Sequence, residues 1–218
     1  LEYQLNEKVA ILHFDDGKAN AVGHSFIDAM LDGLDRAASE AGAVVIMGRD
    51  ARFSAGFDLS EFQKGPEATM QLAGRGAQMM STLFKHPQPV VAACTGHAIA
   101  AGALLLLAAD TRLGVPGEFR IGLNETAIGM SLPVFATQLA NARLSRRHLT
   151  AAFIQSQLYN PEEALDAGYL DELTPPDQLL ERAIAIAAQL GEFSSEAYAT
   201  NKLAIRGPYI DAIEASLS

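Results

Sequence analysis

The chain has 218 residues, 49% of them hydrophobic and 19% charged, enough to bury one sizeable core or two modest ones and too apolar for a disordered segment. Its formal net charge of -10 argues against a nucleic-acid surface, which needs a basic stripe, and against docking on anionic membranes. The single cysteine, Cys94, excludes an internal disulfide framework, and the longest apolar run, within Ala98 to Ala109, falls short of the ~20 residues that cross a bilayer.

Val9 to Phe14, rich in Val, Ile, Leu and Phe, predicts a strand that Asp15-Asp16-Gly17 ends as a turn. Ser25 is placed to cap a helix running to about Ser39, with Phe26, Met30, Leu34 and Ala37 at helical spacing. Ala43 to Met47 is a short apolar strand covered on both faces. Pro66 opens a helix to about Phe84, with Met70, Ala73, Ala77, Met80 and Phe84 on its inner stripe. Pro89 to Ala93 is the next buried strand, Ala103 to Ala109 a helix apolar on every side, and Thr111 to Val115 another strand. Helices follow at Val134–Ala142, Ser145–Gln155, Pro161–Ala167, Asp177–Leu190 and Ser194–Ile205. Strands alternating with helices predict an α/β fold of right-handed crossover units, residues 1–140, with a helical C-terminal region, 141–218.

After the buried strand Ala43–Met47 comes the turn Phe53-Ser54-Ala55-Gly56-Phe57-Asp58-Leu59, and after Pro89–Ala93 comes Gly96-His97-Ala98-Ile99-Ala100-Ala101-Gly102-Ala103. Strand-to-helix turns of this kind can aim two backbone N–H groups at one oxygen, which stabilises an enolate or a tetrahedral oxyanion. Phosphate-loop, Rossmann, Gly-x-Ser-x-Gly and metal-binding motifs are absent, so no metal and no nucleotide cofactor is expected. Glu125, set among apolar residues between Gly122 and Gly129, is the best acid–base candidate, because apolar surroundings raise a carboxyl toward working pH. A helix-capping or surface glutamate is the alternative. Asp58 suits the cap of a short helix beginning near Leu59, His97 suits a packed or hydrogen-bonded turn, and Cys94 a buried structural thiol.

These segments resemble the crotonase superfamily of enoyl-CoA hydratases and isomerases over nearly the whole chain. Lys18-Ala19-Asn20-Ala21 is similar to the family's early Asn-Ala segment, the Phe53–Leu59 turn to its first oxyanion turn, and Gly96–Asp110 to its second turn with the buried helix. Pro161 to Leu170 is similar to the segment before its last strand-like stretch. The resemblance implies a spiral of stacked ββα units assembled as a homotrimer or a dimer of trimers. It implies that the N–H groups of Phe57 and Ala101 hold the thioester oxygen of an acyl-CoA, with CoA as part of the substrate rather than a cofactor. Lys18, Ala19, Ala55, Asp58, Leu59 and Leu104 would line the substrate site, and Lys202 would stand near the CoA phosphates.

The chain departs from the family at Ala100-Ala101-Gly102, where a triple glycine is usual, and at Leu104, where hydratases carry a second glutamate. A single glutamate at 125 in Ile121-Gly122-Leu123-Asn124-Glu125-Thr126 resembles the mitochondrial-type 3,2-enoyl-CoA isomerases. The expected activity is therefore a shift of an enoyl-CoA double bond from the 3,4 to the 2,3 position. A hydratase or related lyase, and a non-catalytic acyl-CoA binder, are the alternatives. The start of the chain lacks the basic-then-apolar pattern of a signal peptide, and the expected location is cytoplasmic, with the bacterial cytosol or an organelle matrix left open, as a chain beginning at Leu1 leaves a trimmed leader open.

Overall fold

The apolar runs at Val9, Ala43 and Val90 have no polar alternation because both of their faces are covered. In the computed structural model, which describes residues 1–217, they are central strands of a six-stranded sheet. Its strands are β1 (Glu2–Asn6), β2 (Val9–His13), β3 (Ala43–Met47), β5 (Val90–Cys94), β7 (Thr111–Gly114) and β9 (Glu172–Leu173), in the order β1-β2-β3-β5-β7-β9. Only β1 runs antiparallel to its neighbour. Ala10, Leu12, Val44, Ile46, Val90 and Ala92 face the main core, while Val9, Ile11, Val45, Val91 and Ala93 face α7 (Leu179–Gly191).

A second sheet has the order β4-β6-β8, from Ala51–Ser54, Gly96–Ile99 and Ile121–Gly122, all parallel. The pairs β3/β4, β5/β6 and β7/β8 each give one strand to each sheet before the chain turns into helix, while β1 and β2 both join the first sheet before the first helix; this is the ββα spiral that the resemblance implied. The main-core face of the first sheet is covered by α1 (His24–Glu40), on which α3 (Pro66–Phe84) packs, while α4 (Ala101–Ala108) lies wholly inside, every residue buried. The short α2 (Leu59–Phe62) follows the first turn. Burial of each leucine of α4 contributes about 2 kcal/mol, which outweighs any need for an amphipathic face. The helical C-terminal region comprises α5 (Val134–Arg143), α6 (Pro161–Ala167), α7 and α8 (Ser195–Ala215).

Several local expectations differ from the fold. The strand β6 falls inside the second segment read as a turn, and β4 runs from Ala51 into the start of the first, because pairing with each other supplies what their glycine and charged residues lack in propensity. Ser25 does not cap α1; Gly23 occupies that position with no side-chain cap. On α3, Ala77, Met80 and Phe84 are buried as expected, but Met70 is 69% exposed, and Leu72, Gly76, Met79 and Leu83 share the buried face. The helix expected over 145–155 reduces to a π-type turn, Thr150–Ile154. Finally, α8 runs through Pro208, well past Ile205.

Candidate active site

Parallel strands end on the same side, so β4, β6 and β8 deliver their following residues to one place. The first turn leaves β4 with Gly56 at φ 100 and continues beside Val22. The Val22 N–H donates to Gly56 O at 2.8 Å and the Asp58 N–H donates to Val22 O at 3.2 Å, so the peptide groups flanking Phe57 face Val22. Extended alternation then sends the Phe57 N–H out of the opposite edge, where β6 runs on into Ala100 and Ala101. A methyl group on Gly56 would stand 2.9 Å from Ala100 Cβ and 3.4 Å from Ala101 N. The two turns are in contact, and only glycine fits at 56.

Ala101 is the first residue of α4, so its N–H is one of the donors a helix cannot satisfy internally. Among the described residues, neither the Phe57 nor the Ala101 N–H has an acceptor within the protein. Ala100 reaches this geometry at φ 54, ψ -124, a conformation that favours glycine. It is held there because its N–H donates to Gly122 O at 2.9 Å and its carbonyl accepts from Ala103 and Leu104.

The same Gly122 belongs to β8, which pairs with β6 and leads directly to Glu125. Glu125 is 9% exposed in a loop whose next residues are open to solvent. Its carbonyl accepts from Ile128 and Met130, which closes the loop tightly around it. The carboxylate oxygen Oε2 is buried and has no hydrogen-bond partner. Burial pushes the carboxyl above the usual range, against the pull of the Glu125 and Asn124 amides. Leu104 lies one turn into α4, 1% exposed, and contributes no polar atom.

The early segment joins the same region. Ala55 N donates to Ala19 O at 3.0 Å and Ser54 Oγ donates to Asn20 O at 2.7 Å. Asn20, at φ 51, donates from Nδ2 to the carbonyls of Phe14, Arg52 and Phe53. It is the clamp that sets Lys18 and Ala19 beside the first turn, a role invisible in the sequence except as an asparagine after a turn, where left-handed backbone is tolerated. Lys18 is exposed and Ala19 partly buried. The Phe57 ring fits over Gly76, where a Cβ would lie 2.5 Å from it, and packs near Phe62 and Phe135.

Asp58 caps α2, its carboxylate accepting from Ser60 N at 2.9 Å and from Ser60 Oγ at 2.7 Å; the Ser60 hydroxyl holds it below the usual carboxylate range. Leu59 beside it is 60% exposed. His97 Nδ1 accepts from the Arg120 amide at 3.0 Å, and burial lowers its pKa. Burial pushes the Cys94 thiol up to about 12, so it is inert. Lys202 does not stand where the CoA phosphates were expected to meet it. It is 7% exposed, and its ammonium donates to His86 O, Gln88 O and Asp110 Oδ2 at 2.6, 2.9 and 2.7 Å. With all donors used inside the protein, it has none to offer a ligand.

An open depression of about 540 Å³ between α3 and the end of α8, lined by Arg75, Gln78, Ser81, Thr82, Lys85 and Glu214, includes none of these groups. Among the described residues, no group of three or more His, Cys, Asp or Glu could hold a metal ion.

A family model for enoyl-CoA hydratase/isomerase matches residues 4–217. A Bacillus subtilis (strain 168) protein named "Probable enoyl-CoA hydratase" is 31% identical over 205 residues, 90% of this chain and 78% of its own length. The crystal structure of an enoyl-CoA hydratase/isomerase family protein from Pseudomonas syringae superposes with a TM-score of 0.96 at 36% identity, covering 99% of this chain and 94% of that one. An apo Mtb enoyl-CoA isomerase superposes at 0.94 with 34% identity over 99% and 95% of the two chains. Both reaction names thus occur among similar proteins.

Proposed function

The chain belongs to the enoyl-CoA hydratase/isomerase family, and within it we propose an isomerase that moves an acyl-CoA double bond from the 3,4 to the 2,3 position. One set of features supports the reading: a single carboxyl, Glu125, is buried on the loop that follows β8, the acceptor-free amides of Phe57 and Ala101 follow the neighbouring strands β4 and β6, and position 104 is leucine. Ionised Glu125 removes a proton from C2 of a 3-enoyl-CoA. The electron pair moves through the carbonyl and the C3–C4 double bond, giving a dienolate. The N–H groups of Phe57 and Ala101 hold its oxyanion, an interaction stronger in the transition state than in the ground state. The carboxylic acid then returns the proton to C4, and the double bond comes to rest between C2 and C3. No water is consumed, and one carboxyl serves both transfers.

Hydration of a 2-enoyl-CoA would ask for a second group to activate water. Leu104 offers none and keeps the neighbourhood apolar. The measurement is turnover of a 3-enoyl-CoA by the protein and by Glu125→Gln. Loss of the acid–base group lowers kcat by roughly 10²–10⁴. Equal turnover by the two proteins, or crotonyl-CoA hydrated faster than a 3-enoyl-CoA is isomerised, overturns the isomerase reading.

A further inference from the structure

The loop that leaves β2 for Val22 has no regular structure, and one side chain organises it. Asp16 is exposed, yet both of its carboxylate oxygens are turned onto the backbone of its own loop. Oδ1 accepts from the amides of Lys18 at 2.7 Å and Asn20 at 2.9 Å, and Oδ2 accepts from the amide of Ala21 at 3.3 Å. The Asp16 amide donates in return to Asn20 Oδ1 at 3.0 Å. The neighbouring carboxylate, Asp15, has other partners: the Gly17 amide at 2.7 Å and the Arg49 guanidinium at 3.4 Å. Partial burial pushes the Asp16 carboxyl up, and the amides of Asn20, Lys18 and Ala21 outweigh it, so the carboxyl lies below the usual range. An aspartate that merely shapes a turn bonds the backbone two residues on. The bonds to Asn20 and Ala21 reach further, to the point where the chain enters the candidate site.

Val22 is that point. It is buried, its amide donates to Gly56 O at 2.8 Å, and its carbonyl accepts from the Asp58 amide at 3.2 Å. Both peptide groups flanking Phe57 therefore take their orientation from this one residue. We propose that Asp16 is a positioning residue for the Phe57 N–H: by gathering the amides of Lys18, Asn20 and Ala21, its carboxylate sets the approach of Val22 and, through Val22, the direction of the donor in the first turn. The link is short. Only the backbone torsions of Ala21 separate the amide held by Asp16 from the amide that meets Gly56 O. The Ala21 carbonyl is itself held by the Gly23 amide at 3.0 Å, so those torsions have little room. Ionised acceptors form the stronger hydrogen bonds, which suits a carboxylate to holding three amides at an exposed position. The catalytic consequence rests on the Phe57 N–H meeting the oxyanion, as proposed above.

The test follows the Phe57 amide by NMR in protein labelled with ¹⁵N-phenylalanine, the signal being assigned by its loss in Phe57→Leu. In Asp16→Ala that signal is expected to move, while the amide of Phe193, in the turn before α8, stays in place. With 3-enoyl-CoA, kcat per folded molecule should fall by roughly 10–10², and KM should rise by a smaller factor, because the oxyanion contact is stronger in the transition state. Asp16→Asn keeps an acceptor for Lys18 and Asn20 and turns an amide toward Ala21, so it should fall between the wild type and Asp16→Ala in both measurements. It also carries the test if Asp16→Ala does not fold. Asp15→Ala, one residue away, should move the Phe57 signal less than Asp16→Ala does. A Phe57 signal unmoved in the Asp16 variants, an equal shift in Asp15→Ala, or a lowered melting temperature with kcat per folded molecule unchanged overturns the proposal. If the wild-type protein isomerises no 3-enoyl-CoA, the isomerase reading fails, and the Phe57 amide still decides the link to Asp16.

Discussion

A buried carboxyl with an unpartnered oxygen costs stability whenever it is ionised. Burial places the folded-state pKa of Glu125 above its unfolded value, so the folded protein holds that proton more tightly. The resulting stabilisation is present below the unfolded pKa and is lost as pH rises through the folded one. Glu125→Gln, which is neutral throughout, should therefore melt higher than the wild type at neutral pH. The gap should close as pH falls below the ordinary carboxylate range, where both side chains are uncharged. Melting curves from acid to neutral pH measure this, and a gap that does not change with pH would contradict it. Gain of stability together with loss of activity is the expected mark of a residue kept for chemistry. Ala100 carries a different cost, in the backbone. A non-glycine residue in such a conformation costs of order 1–3 kcal/mol, and Ala100 sits at φ 54. Ala100→Gly should stabilise the protein by about 1 kcal/mol in denaturant titrations, and activity should survive because the Ala101 N–H keeps its place. A destabilised Ala100→Gly would show that the methyl contact with Gly56 outweighs the strain.

At the scale of elements, α8 is fastened to the rest of the chain by polar contacts inside the protein. Lys202 reaches the carbonyls of His86 and Gln88, and Arg206 donates to Phe84 O at 2.7 Å and pairs with Asp110 at 2.8 Å. Lys202→Ala leaves the carbonyls of His86 and Gln88 without this donor while Arg206 still pairs with Asp110, so it should cost about 1–3 kcal/mol. The KM for an acyl-CoA should be unchanged, because the ammonium is not free to meet a phosphate. A KM raised in proportion to the loss of CoA affinity would restore the expected phosphate contact. Burial draws Lys202 down to about 8, with Asp110 pulling the other way. Between that value and the ordinary one the unfolded chain holds more protons, so the wild type should gain on Lys202→Ala as pH rises through this window. The sequence hid this fastening because a lysine in an amphipathic helix is ordinarily solvated, and its acceptors lie far away along the chain. It showed β3, β5 and α4 plainly, since unbroken apolar runs belong to elements covered on every side. It showed Glu125 for the same reason, as a charge among apolar neighbours. It did not show β4 and β6, whose Arg52 and His97 become strand residues only through mutual pairing.

For the whole molecule, the proposed reaction depends on how closely β4 and β6 are held within the three-stranded sheet. From β3 to β8 successive strands alternate between the two sheets, so the turns after β4 and β6, far apart along the chain, are brought together by the pairing of these two strands. The spacing is set by backbone in contact with backbone. A Cβ on Gly102 would lie 2.3 Å from Ser54 O, and one on Gly96 would lie 2.2 Å from Ala51 C and O. No side chain can rotate away to relieve either contact. Gly102→Ala must push the first turn of α4 off β4, which moves the Ala101 N–H away from that of Phe57. Overpacking of this kind costs about 1–3 kcal/mol, and a displacement of even 1 Å between catalytic groups costs roughly 10² in rate. Gly74 provides the comparison, since a Cβ there meets nothing within 4 Å and its place inside α3 rewards alanine. Gly74→Ala should therefore hold or raise the melting temperature and leave turnover alone, by up to about 1 kcal/mol of helix propensity. Gly102→Ala should lower both, with the fall in kcat larger than the fraction of protein unfolded can explain. If turnover in Gly102→Ala falls only as far as the folded fraction does, the separation of the two turns is not what limits the chemistry, and the paired amides lose their claim to the oxyanion.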